Sequence, residues 1–355
     1  MLRVVAIIGV VSIHTFGAIV TNPALEGQRG WWLAVVLNAG FIWAVPVFVM
    51  ISGALVLDPR MHAKGPGDFY RTRFSRLLVP FVFWQVFYVL VVRRLLSGLD
   101  DSPGTVLALV LDGRTYTHLY FLWLIVGLYA VAPVLEAFLR QGGRRRALTF
   151  AFVALGATVL TYSSAAILGA AGMSRPLLLM ALTQWIPYVG YFLAGWALRD
   201  VHPRGARLAL AAAVAALAIG EVIVQTGTGP HPVLGAILPT SYLGPMTALA
   251  AVALFLAVNG ALAGVRMPRV AGCVLTELSE SAFGVFLVHF RRPDPRASAA
   301  VLRAGHAVRR RRAGCPVRHR DPVLRGHDGP AQDAVPPAAR VTSAPRASEG
   351  IPAPA

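Results

Sequence analysis

LRVVAIIGVVSIHTFGAIV, residues 2–20, is a run of nineteen residues in which Arg3 and His14 are the only ionisable side chains. At about 1.5 Å per residue such a run makes a helix of about 28 Å, close to the hydrocarbon thickness of a bilayer. Apolar runs of this kind recur near Trp31–Leu57, Phe74–Leu96, His118–Leu139 and Ala147–Ala171. Others lie near Gln184–Leu198, Leu208–Gln225 and Tyr242–Ala263, and a last one begins at Leu278 and stops at His289. The pattern predicts an all-α fold, a polytopic membrane helix bundle of about nine to ten transmembrane helices with the last one broken.

Composition agrees. Of 355 residues 56% are hydrophobic and 14% charged, and the mean hydropathy is +0.62, which excludes an ordinary soluble domain. The net charge of +17 comes almost wholly from arginine, with Lys64 the single lysine. No basic patch interleaved with aromatics stands out, so no nucleic-acid partner is expected. Cys273 and Cys315 have neither metal-ligand spacing nor the numbers for a disulfide framework, and no P-loop or nucleophile elbow is present. No metal is expected, and the sequence leaves the oligomeric state open.

Charge along the chain sets an expected orientation. Arg60, Lys64, Arg71, Arg73 and Arg76 precede or open the third span. Arg140 and Arg144–Arg146 follow the fourth, Arg199, Arg204 and Arg207 the sixth, and Arg266 and Arg269 the eighth. Every second loop is basic, whereas Thr226–Ser241 carries no charge, so the rule that positive loops stay inside places Met1 in the cytoplasm. Arg93 and Arg94 break the rule, lying at the outer end of the third span. A cleaved signal peptide is the competing reading of residues 2–20. Against it, the run is long for such a leader, holds His14, and shows no small-x-small site before Thr21.

Two parts are expected, a transmembrane domain over 1–290 and an Arg/Pro/Ala-rich tail over 291–355. The tail holds 13 arginines and no apolar periodicity. It reads either as a disordered basic tail or as a gene read out of frame after Phe290, because a ninth span would deliver these arginines to the outside.

The chemistry concentrates in three places. Arg3 and His14 are eleven residues apart, about three turns plus 20°, so they share one helix face about 16 Å apart. Arg3 alone reads as a snorkelling anchor. Imidazole in lipid is costly without a partner, so His14 should face the bundle interior, where a group of ordinary pKa about 6.5 suits a proton acceptor. In FYRTRFSRLLVPFVFW, from Phe69, Arg73 and Arg76 share a helix face and match phosphate geometry, although anchoring explains them equally well. His118 opens the fourth span. Glu136, Glu221 and His289 read as structural polar groups, Glu277 and Glu280 are open to either a structural or a functional reading, and PGTVLALVLDG before Arg114 reads as a short interfacial helix.

The ordered set of motifs resembles the acyltransferase 3 family of integral membrane acyltransferases, particularly the short bacterial branch that includes the enterobacterial common antigen O-acetyltransferase. The motifs are the R-x10-H of Arg3 and His14, VPVFVMISGALVL from Val45, and the R-x-x-R of Arg73 and Arg76. They continue with HLYFLWLIVGLYAVAPVL from His118, YFLAGWALRD from Tyr191 and SAFGVFLVH from Ser281. The resemblance implies transfer of an acyl group, commonly acetyl from acetyl-CoA, to a hydroxyl of a cell-envelope glycan, lipid or exported molecule at the inner (plasma) membrane. On that model His14 and Arg3 are catalytic and share a cavity, Arg73 and Arg76 bind the coenzyme from the cytoplasm, and His118 binds substrate. Membrane lipid and a glycan or lipid-linked acceptor are the implied partners. Family members carry residues before the first arginine and a longer final helix, so the start at Met1 reads as late. The competing class is a secondary transporter using embedded His, Arg and Glu. It would favour related halves, and the motifs of the first four spans do not recur.

Overall fold

A computed structural model describes residues 1–265 and 268–288. These residues form helices α1 (Leu2–Val20), α2 (Arg29–Ala39), α3 (Ala44–Val56), α4 (Pro66–Phe87) and α5 (Pro103–Leu111). They continue as α6 (Tyr120–Ala170), α7 (Val189–Leu198), α8 (Ala206–Thr228), α9 (Pro232–Ile237), α10 (Pro245–Leu262) and α11 (Arg269–Val288). No strand occurs among the described residues, and six helical stretches are long and apolar enough to cross a membrane. The fold is therefore an all-helical bundle of an integral membrane protein.

The six stretches regroup the expected spans. Arg29–Val56 is one stretch of 28 residues, interrupted by a turn at Gly40–Trp43. Tyr120–Ala170 runs for 51 residues, about 76 Å if straight, but Gly143 breaks it with φ 55° and ψ −149°. Only glycine adopts that backbone without strain, so one apparent helix supplies the two expected spans on either side of Arg144–Arg146. The stretch Ile186–Leu198 is short, at 13 residues. The last helix starts at Arg269, before the expected Leu278, and is 20 residues long. It packs against α1. The expected break at Arg291, His289 and the tail lie outside the described residues, as does the side chain of Glu280.

Lipid offers helices no hydrophobic reason to associate, so contact depends on small residues and shared hydrogen bonds. Both are found in this bundle. Where α1 meets α2, Ser12 Oγ donates to the Leu37 carbonyl at 2.7 Å and Asn38 Nδ2 to that of Ile13 at 2.8 Å. At the crossing of α3 and α7, a Cβ on Gly53 would strike the Phe192 carbonyl oxygen and one on Gly195 that of Met50. Two backbones thus touch through reciprocal glycines. Alanines do the same for α8 and α10, where Ala215, Ala218, Ala250 and Ala251 are all buried. These packings hold α1, α3 and the start of α6 around one interior space.

Candidate active site

His14, half-buried on α1, faces His118 edge to face with ring centroids 6.0 Å apart. His118 is buried in the turn that leads into α6. Both line one cavity of about 550 Å³, whose walls include Asn38, Tyr116, Tyr120, Tyr162, Tyr188, Ser241 and Tyr242. A volume in this range suits a small ligand, and the hydroxyl and amide groups among apolar walls can orient one. The helical phase that turns His14 inward is therefore met from the other side by a second imidazole.

His118 is fixed by aromatic neighbours. Tyr88 lies 5.1 Å from its ring and Tyr116 5.4 Å, both edge to face, and the two tyrosines are 4.5 Å apart. Tyr88 is fully buried and opens a π-helical segment, Tyr88–Leu96, that continues α4. Such wide turns shift the facing of side chains and recur at functional sites. One turn earlier Gln85 accepts a hydrogen bond from Thr115 Oγ1, tying α4 to the same turn that carries Tyr116 and His118. Neither Tyr88 nor Gln85 is legible from a motif.

Arg3 is not among the residues lining this cavity. Its guanidinium lies 5.5 Å above the Phe48 ring, and Phe48 meets Phe121, a wall residue, at 5.3 Å. Arg3 thus packs over Phe48 and not in the lining of this cavity, although helical phase alone puts Arg3 and His14 on one face. Arg73, half-buried on α4, donates from Nη2 to Met61 Sδ at 2.9 Å, while Arg76 is exposed one turn on.

A family model described as an acyltransferase domain matches residues 1–291. The chain belongs to the acyltransferase 3 family. Spanning helices and family together make it a membrane acyltransferase. Neither the curated proteins nor the solved structures contain a match to it.

In this acyltransferase the remaining embedded acids have local partners. Arg140 Nε donates to Glu136 Oε1 at 2.6 Å within one turn of α6, and Gln225 Nε2 donates to Glu221 within one turn of α8. Glu277 is exposed on α11. The two arginines that broke the orientation rule are neutralised in place. Arg93 makes two hydrogen bonds to Asp101, at 2.7 and 3.1 Å, and Arg94 lies 3.7 Å from Asp100. The Arg93 guanidinium holds the Asp101 carboxyl below its ordinary range. The segment read as an interfacial helix is α5, capped by Ser102 Oγ, which accepts from the Thr105 amide at 3.2 Å.

Proposed function

We propose that this acyltransferase moves an acyl group, acetyl in the first instance, from acyl-CoA to a hydroxyl of a cell-envelope glycan, a lipid or an exported small molecule, as the resemblance to the short bacterial branch implies. The acceptor hydroxyl oxygen attacks the thioester carbonyl carbon while His14 takes its proton. The carbon–sulfur bond then breaks, and the leaving thiolate recovers that proton from His14, giving an ester and free coenzyme. Base catalysis of this kind contributes about 10²- to 10⁴-fold. His118 seats the acceptor across the cavity, and Arg73 and Arg76 hold the donor phosphates from the cytoplasmic face. Arg3 adds its charge from over the Phe48 ring. The enzyme sits in the inner membrane with its N-terminus inside, donor and acceptor arriving from opposite faces.

The observation that carries this reading is the pair of imidazoles across one hydroxyl-lined cavity within the helix bundle of a family member. The test is the ester-linked acyl content of the cell envelope in strains with the intact protein, with His14→Ala and with no protein. Loss in both altered strains is expected. Acylation unchanged on deletion overturns the reading.

A further inference from the structure

The wall of the His14 cavity limits what can enter it. Among the described residues that line it there is no Asp, Glu, Lys or Arg. With His14 neutral, as a proton acceptor must be, a charged group seated there would give up water without meeting a fixed counter-charge. The part of the acceptor that enters is therefore uncharged, and its recognition falls to hydroxyl and amide groups.

The amide is Asn38. Half-buried on α2, it is held against the turn of α1 that carries His14. Its Nδ2 donates at 2.8 Å to the carbonyl of Ile13, the residue before His14. A Cβ on Gly17, one turn on, would lie 3.3 Å from the same nitrogen, so the bare glycine gives the amide its room. Ile13, His14 and Gly17 all line the cavity with Asn38. A backbone carbonyl can only accept, which assigns the nitrogen to that side of the carboxamide and leaves Oδ1 at the other. Oδ1 makes no hydrogen bond among the described residues. An amide oxygen accepts and never donates, whereas the tyrosine and serine hydroxyls of the wall do either. Asn38 thus admits an O–H and rejects an ether or carbonyl oxygen in the same place.

We infer that Asn38 is a specificity-determining residue of the acceptor site, its Oδ1 accepting a hydrogen bond from a second hydroxyl of an uncharged acceptor whose first hydroxyl meets His14. The inference rests on the acyl-transfer reading above and deepens it, since the group seated in the cavity carries at least two hydroxyls and a lone alcohol is a poor substrate. The tie to Ile13 keeps the amide in register with the neighbouring imidazole. No bond forms or breaks at Asn38, so it binds ground state and transition state alike and acts on KM for the acceptor more than on kcat.

The test uses the full chain in liposomes with labelled acetyl-CoA as donor. The acceptor is an envelope extract from the strain lacking the protein, added in graded amounts. Asn38→Leu is expected to raise the extract needed for half-maximal transfer about tenfold, with the maximal rate and the acetyl-CoA requirement changed less than about twofold. Asn38→Ala should act in the same direction. Ser12→Ala removes the other hydrogen bond between α1 and α2, to the Leu37 carbonyl, and Ser12 is not in the wall. It should lower the unfolding temperature as the Asn38 variants do and leave the extract requirement unchanged. In the intact protein cis-1,2-cyclohexanediol should compete with the extract better than cyclohexanol, an advantage lost in Asn38→Leu. An unchanged extract requirement in Asn38→Leu, a fall in its maximal rate alone, the same shift in Ser12→Ala, or equal competition by the two alcohols in the intact protein overturns the inference and leaves the acyl-transfer reading standing. Intact protein that moves no label to the extract removes that reading, and the inference with it.

Discussion

At the scale of single residues, His14 and His118 differ in how far their settings are legible. His14 can be placed from the sequence because an imidazole in an apolar run must turn away from lipid. His118 can be singled out, but its orientation depends on Tyr88, and no pattern connects the two. Past Phe87 the helix widens into π turns, so side-chain phase counted at 100° per residue fails there. The aromatic cage predicts that Tyr88→Leu, which removes the ring packed against His118, lets the imidazole tilt. Activity in the envelope-ester assay should fall about 10- to 100-fold, since misplacement of about an ångström costs that much. Tyr88→Phe, which preserves the edge-to-face contact, should retain most of it. Equal losses for Phe and Leu would show that the hydroxyl, not the ring, matters.

At the scale of elements, helix identity is readable from the sequence and helix contact is not. Runs of apolar residues bounded by Gly, Pro and Arg locate α1, α8 and α10 to within a turn, because the backbone in lipid has no alternative to internal hydrogen bonding. The same runs give no sign that Arg3 lies over Phe48 or that Phe48 meets Phe121, since that follows from what α3 and α6 present to α1 and to each other. Close helix approach is equally hidden, because Gly53 and Gly195 look like any other glycines in apolar text until their partners are known. Their reciprocal contact with carbonyl oxygens predicts that Gly53→Leu or Gly195→Leu separates α3 from α7. The expected result is a lower unfolding temperature in detergent and lost activity. Gly143 gives a contrasting case, since a Cβ there meets nothing within 4 Å and its need is conformational. Gly143→Ala should therefore cost about 1 kcal/mol or more through backbone strain, without disturbing a helix contact.

At the scale of the whole molecule, the expected orientation gains from the pairing of Arg93 and Arg94. Free arginines resist being carried across a membrane, but these two meet Asp101 and Asp100 and add little net charge to their end of the bundle. The pairing carries a pH signature. Because Arg93 depresses the Asp101 carboxyl, its stabilising effect is present above the ordinary carboxylate value of about 3.9 and is lost as pH falls through the lower folded value. Wild type should therefore unfold at a higher temperature than Asp101→Asn near neutral pH, and the two should converge on acidification below about pH 4. A gap that persists at low pH would mean that the substitution acts through packing and not through charge. The orientation itself is tested with Cys273 and Cys315 replaced by serine and single cysteines introduced at Thr228 and Gly205, which flank α8. An impermeant thiol reagent added to intact cells should label Thr228→Cys and spare Gly205→Cys, because Gly205 lies in the loop with Arg204 and Arg207 while the stretch after Thr228 carries no charge. The reverse pattern would place Met1 outside, and with it Arg3, Arg73 and Arg76 on the face from which a cytoplasmic acyl donor has no access.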